Sequence, residues 1–224
     1  MLLAELREQV VQAGLTALEQ RIVYGTAGNF SVRDPETGLI AISPSGIPYP
    51  EMTPADVVIV DEHGNVKDGT RRPSSETPMH TMIYREHPRI LAIVHTHSHY
   101  STVVSTIRPC LPPILTEVCL VVGARVPVTR YGLTGLDDIG RSVLEVMDDE
   151  TRAVILKNHG LITFGRSFSE ALTYANVVEE AAHVYIDALA ANGGREPEMV
   201  PEHLIPEMRE RFRQTYGQPQ AAKA

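Results

Sequence analysis

Cysteine is nearly absent from this sequence. Cys110 and Cys119 are the only two, too few for a disulfide framework and not spaced as a CxxC pair. A reducing compartment, the cytoplasm, is the expected location. No apolar run reaches the roughly 18 residues of a membrane span, so no membrane partner is expected. Basic residues are in deficit: 20 Lys and Arg face 28 Asp and Glu, for a formal charge of −8. That balance excludes nucleic acid as the expected partner, because phosphate backbones need a basic surface. The opening Met1-Leu2-Leu3-Ala4-Glu5-Leu6-Arg7-Glu8 carries acids where an export signal is basic. Internal repeats and low-complexity linkers are missing too.

Of the 224 residues, 43% are hydrophobic, enough to bury a core as one domain. Leu2 to Gln20 places apolar residues at three- and four-residue steps, which predicts an amphipathic helix. Phe30–Arg33 and Leu39–Ile42 flank Asp34-Pro35-Glu36-Thr37-Gly38 as a hairpin, and Val57–Val60 is a further short strand. Ser75 or Thr77 is expected to cap a helix that runs to His87. Ile90–His97 reads as a buried strand, followed by a mostly helical stretch, Arg125–Thr129 and a helix near Leu136–Met147. Ala153–Lys157 and Leu161–Phe164 are strands around Asn158-His159-Gly160. Ser167-Phe168-Ser169-Glu170 opens a long helix with a capping box, which ends at Asn192-Gly193-Gly194. The tail from Arg195 mixes helix formers with prolines. Hairpins first and alternation later predict a mixed sheet covered by helices.

Nine histidines are the unusual feature of the composition. His95 and His97 share one face of a strand, because side chains two apart point the same way. They either make ordinary hydrogen bonds on a sheet face or hold one metal ion. His99 shares that parity only if the strand continues, and Ser98-His99-Tyr100-Ser101 looks like its end. His159, at the end of another apolar strand, is either a turn residue or a third ligand. Three histidines with one open position suit a catalytic zinc. Glu76, at a strand-to-helix junction, is either a helix-start residue or an acid–base group beside such an ion. Thr26–Asn29, Ser43–Gly46 and Pro73–Ser75 are each ordinary turns taken singly, and together an anion nest without lysine or arginine. His63, His80, His87, His183 and His203 suggest no role.

Five of these motifs, in this order, resemble the class II aldolase/adducin family, most closely its fuculose-phosphate aldolases. They are Gly25–Asn29, Ser43–Tyr49, Pro73–Glu76, His95–His97 and Asn158–Leu161. The resemblance implies a three-layer αβα sandwich around a mixed, mainly antiparallel sheet, assembled as a homotetramer with active sites between subunits. It implies a catalytic domain over 1–217 and a short flexible tail over 218–224. Zinc would sit on His95, His97 and His159, with Glu76 as resting ligand and acid/base. Manganese or cobalt would accept the same ligands. A substrate phosphate would sit on Gly28, Asn29, Ser45, Gly46, Ser74 and Ser75. The activity implied is cleavage of a ketose 1-phosphate to dihydroxyacetone phosphate and an aldehyde through an enediolate. Tyr216, in Gln214-Thr215-Tyr216-Gly217, resembles the C-terminal tyrosine that protonates the aldehyde in a neighbouring subunit. Thr116 replaces a second tyrosine of the family, and the adjacent Glu117 is similar to the acid–base residue of methylthioribulose-phosphate dehydratases. Dehydration, 4-epimerisation and decarboxylation remain alternatives, as does a non-catalytic adducin-like binding module.

Overall fold

Strand parity in the middle of the chain divides apolar from polar side chains, and that division positions the candidate site. The computed structural model describes residues 1–216; Gly217, which closes the expected domain, and the expected tail over 218–224 lie outside the described residues. Seven strands form one sheet. Its order is β4 (Val66–Asp68), β3 (Val58–Val60), β2 (Ile40–Ile42), β1 (Asn29–Arg33), β5 (Ala92–Thr96), β9 (Gly160–Gly165) and β8 (Ala153–Leu156). Every neighbouring pair is antiparallel. A two-stranded sheet pairs β6 (Cys110–Leu111) with β7 (Val126–Pro127), and a lone parallel bridge joins Val128 to Ile155.

Two separate apolar clusters cover the two sheet faces. Phe30, Val32, Ala92, Val94 and Leu161 pack with α1 (Ala4–Glu19), α4 (Thr116–Val121) and α6 (Phe168–Ala191). α3 (His99–Ile107) and α7 (Ile205–Thr215) complete that layer. Ile40, Ile93, Val154 and Ile162 pack on the other face, under α2 (Thr77–Glu86) and α5 (Asp137–Leu144). Helices on both faces of a mainly antiparallel sheet make the expected three-layer α/β sandwich.

Several element boundaries differ from the sequence expectation for physical reasons. The N-cap of α2 is Glu76, not Ser75 or Thr77, because Ser74 turns the chain: its Oγ accepts from the Glu76 N–H and its carbonyl from the Thr77 N–H. The stretch after His97 is helical only in α3 and α4, with β6 between them. Only Val126 and Pro127 of the Arg125–Thr129 run enter a strand, since proline lacks a ladder N–H. β4 escaped notice because Val66-Lys67-Asp68 is a short, polar edge strand. α6 starts as expected, with Ser167 Oγ accepting from the Glu170 N–H at 3.3 Å.

Candidate metal centre and anion recess

On β5 the residue that follows Ile93 in phase is His95, so its ring lies on the face covered by α2 and is fully buried. His95 Nδ1 faces the Leu161 carbonyl at 3.0 Å. A carbonyl only accepts, so Nδ1 carries a proton, and Nε2 is the nitrogen that faces Glu76 and that an ion would take. That Nε2 is buried without an aligned hydrogen bond, although Glu76 Oε2 lies 3.1 Å away. His97 follows two residues on, just past the strand end. His159 arrives from the turn between β8 and β9, where Asn158 takes the left-handed conformation that asparagine tolerates. The turn is held by Ser105 Oγ, which accepts from the Asn158 N–H at 2.9 Å, and by Thr129 Oγ1, which accepts from the Lys157 N–H at 3.1 Å.

The three rings meet. Their centroids are 4.8 to 5.0 Å apart, and His97 Nε2 lies 3.2 Å from His159 Nε2. Nitrogens bound tetrahedrally to one zinc at about 2.05 Å stand roughly 3.3 Å apart. One ring nitrogen from each histidine lies within 4.8 Å of the other two, which permits a shared ion. The donor set fits a divalent metal: an orphaned buried nitrogen, its ring proton fixed by a carbonyl, and an adjacent carboxylate. Two glycines allow this convergence. A Cβ on Gly160 would lie 2.1 Å from the Thr96 carbonyl oxygen, and one on Gly28 would lie 2.5 Å from that of His95. Gly28 also has a φ of +80°.

Electrostatics keep two of the imidazoles neutral. Burial, reinforced by the positive charge of His95, pushes His97 and His159 down to about 4. Burial would lower His95 as well, but the Glu76 carboxylate raises it. Glu76 shows the reverse: burial favours its neutral form, yet His95, the Asn29 amide and His159 hold it well below the usual carboxylate range. An ion bound here would therefore displace a proton from His95.

Beside the histidines lies a recess of about 240 Å³. Gly28, Asn29, Ser45, Gly46, Ser74 and Ser75 all line it, with Glu76, His97 and His159 at its inner end. No lysine or arginine lines it among the described residues. Its loops are tied together, the Ser74 N–H donating to the Ser43 carbonyl and the Ser45 N–H to the Arg72 carbonyl, both at 3.0 Å. A second recess of about 400 Å³, lined by Arg21, Tyr24, His99 and Thr102, also opens on His97 and His159. His99 is the first residue of α3 and stands outside the triad.

Sequence reasoning missed two participants. Thr134 lines the anion recess beside Thr26, from the loop that precedes α5. His80 is wholly buried behind Asn29, a position marked only by helical spacing from Glu76. Glu117 and Tyr216 stand apart. Glu117 is exposed on the first turn of α4 and Tyr216 is 76% exposed, stacked on Phe212 at 4.3 Å; neither lines the recess of its own chain.

Known proteins share this arrangement of sequence and fold. The family model for the class II aldolase and adducin N-terminal domain matches residues 8–186. The 5-deoxy-D-ribulose 1-phosphate aldolase of Bacillus thuringiensis serovar kurstaki is 37% identical over 97% of this chain and its own full length. The 5-methylthioribulose-1-phosphate/5-deoxyribulose-1-phosphate aldolase of Rhodospirillum rubrum is 34% identical, over 95% of this chain and 92% of its own. A solved L-fuculose 1-phosphate aldolase superposes with a TM-score of 0.85 at 34% identity, covering 93% of this chain and 96% of that one. Among the described residues no helix is long and apolar enough to cross a membrane. With a family match over most of its length and whole-length relatives that are lyases, this chain belongs to the class II aldolase/adducin family and is an enzyme of that family.

Proposed function

We propose that the protein reversibly cleaves a five-carbon ketose 1-phosphate of the 5-deoxyribulose 1-phosphate type to dihydroxyacetone phosphate and a short aldehyde. The observation that carries the reading is the junction of three imidazoles and Glu76 with a recess lined by small residues. The names of the two whole-length relatives support the substrate class. His95, His97 and His159 are the proposed ligands, and Glu76 the fourth at rest. Bound there, a divalent ion, zinc in this proposal, supplies positive charge to substrate oxygens as they become anionic.

The chain's own groups perform the remaining tasks. N–H groups and hydroxyls around Gly28, Asn29, Ser45, Gly46, Ser74 and Ser75 donate to the phosphate, and the enclosing loops fix its orientation. In the condensation direction the ionised Glu76 takes a proton from C3 of dihydroxyacetone phosphate; in cleavage, where breaking the bond between C3 and C4 leaves the electron pair on C3, the protonated Glu76 returns that proton to the carbon. The C4 hydroxyl gives up its proton as the aldehyde forms, and Tyr216 of a neighbouring copy in a homotetramer is the proposed group that exchanges it. The second recess, bordering His97 and His159, offers room for the aldehyde end.

The test is direct. Purified protein is stripped with a chelator, reloaded with zinc, manganese or cobalt, and given 5-deoxyribulose, methylthioribulose and fuculose 1-phosphates. Release of dihydroxyacetone phosphate from the five-carbon substrates, lost on stripping and regained on reloading, is the expected result. Products of elimination or epimerisation alone would overturn the aldolase reading.

A further inference from the structure

Three residues one turn apart, Glu76, His80 and Tyr84, occupy one side of α2 and its N-cap. They face Asn29 and Ser31, two residues apart on the polar side of β1. The two rows mesh into one chain of hydrogen bonds. Asn29 Nδ2 donates to Glu76 Oε2 at 2.7 Å, and Asn29 Oδ1 lies 2.6 Å from His80 Nε2. His80 Nδ1 lies 2.7 Å from Ser31 Oγ, which is 2.9 Å from the Tyr84 hydroxyl. His80, Ser31 and Tyr84 are at most 1% exposed, and Asn29 and Glu76 each 6%.

We propose that His80 is a positioning residue: its Nε2–H turns the Asn29 amide so that Nδ2 faces Glu76, which pins Oε2 and leaves Oε1 as the oxygen that exchanges the proton. This rests on the acid–base role proposed for Glu76. The direction of the chain follows from its end. A carboxylate only accepts, so Asn29 Nδ2 donates and its Oδ1 must accept. His80 Nε2 then carries the proton, Nδ1 accepts, and Ser31 Oγ donates. The two ends of an amide have nearly the same shape, so without that Nε2–H only the carboxylate opposes reversal; with it, a reversed amide would meet both neighbours with the wrong end. Burial pushes His80 down to about 3, so the ring carries one proton and not two. Glu76 Oε2 is thereby committed to Asn29 and lies 3.1 Å from His95, whereas among the described residues Oε1 has only His159 Nε2, at 3.5 Å.

Two measurements test this. The first, nitrogen-15 NMR of the imidazoles in the intact protein, needs no activity: His80 is expected with Nε2 protonated and Nδ1 bare at pH 7. The opposite tautomer, or a doubly protonated ring, overturns the proposal. The second compares His80→Phe, which removes the donor, with His80→Gln, whose amide nitrogen can stand where Nε2 stands. Removing such an outer partner should lower kcat by about 10- to 100-fold. KM for the ketose phosphate should change by less than about 2-fold, since the interaction acts on the chemical step. Bound metal should be unchanged, and His80→Gln should recover most of kcat. Unaltered kcat in His80→Phe, or equal loss in both variants, refutes positioning. Should His80→Phe fail to fold, the tautomer and the kcat of His80→Gln still decide. If the wild type cleaves no ketose phosphate, the role of Glu76 falls, while the tautomer still judges the hydrogen-bond chain.

Discussion

Glu76 occupies the N-cap of α2 yet does not cap it, and the reason is local competition for its carboxylate. Ser74 and the Thr77 hydroxyl serve the turn, the latter donating to the Ser74 carbonyl at 2.7 Å, so the Glu76 side chain is free to turn inward to Asn29 and His95. Glu76→Gln keeps the shape and one acceptor but removes the proton-transfer group. The variant should fold and retain its metal by elemental analysis, while turnover falls by about 10²–10⁴, the usual value of such acid–base help. Retained turnover would remove Glu76 from the chemistry. Glu117 offers the contrast, since it is exposed on α4 and lines no part of the recess in its own chain. Glu117→Gln should therefore change aldol cleavage by less than about 2-fold, within the small effects of exposed sites. Loss of activity together with an elimination product would reassign the protein to dehydration.

The β8–β9 turn carries His159 to the other two histidines, and its closeness to β5 depends on a residue without a side chain. An alanine methyl at Gly160 would overlap the Thr96 carbonyl oxygen, which is backbone in the sheet and cannot swing aside. Gly160→Ala should cost about 1–3 kcal/mol of stability, the range for overpacking. It should also push His159 away from His95 and His97, so bound metal is lost. A melt with unchanged midpoint and full metal content would contradict this. Signals of different range explain which elements were legible in the sequence. Ile93, His95 and His97 announce their common face by parity alone, and Ser167 with Glu170 announces the start of α6. Gly160 and Asn158 read as a turn, but nothing local says that the turn lands on Thr96. His80 was invisible for the same reason: a histidine four residues into a helix is ordinary until β1 supplies Asn29 and Ser31 opposite it. Pairings between distant elements, absent from any local pattern, had to come from the fold. They include the Thr134 loop, which joins Gly28, Ser45 and Ser74 at the recess that their own loops had suggested.

At the scale of the whole molecule, the fully buried His80 and the half-buried His97 and His159 make stability depend on pH with a definite sign. His80 titrates at about 3, and His97 and His159 at about 4, against an ordinary 6.5. Between those values the unfolded chain binds protons that the folded chain refuses, so stability rises with pH there. Their contribution is complete above pH 6.5 and is lost as the pH falls towards 4 and then 3. Glu76, whose folded value is depressed, adds stability that is lost in the same direction below the ordinary carboxylate value. His95 opposes them: its raised value contributes stability that is full below 6.5 and fades as pH climbs through the folded value. Below 6.5 the His95 contribution is already full and level, so the three depressed histidines set the slope. The metal-free protein should therefore melt at progressively lower temperature from pH 6.5 down to about 4.5. Loading an ion should raise the midpoint near neutrality, by the mass-action term of about 2.7 kcal/mol at a free concentration 100 times Kd. It should also steepen the acid loss, because protons compete with the ion for His95, His97 and His159. Thermal melts at both metal states across this range check the point. A midpoint that stays level or climbs on acidification, with or without the ion, would mean that the fold does not hold these histidines neutral.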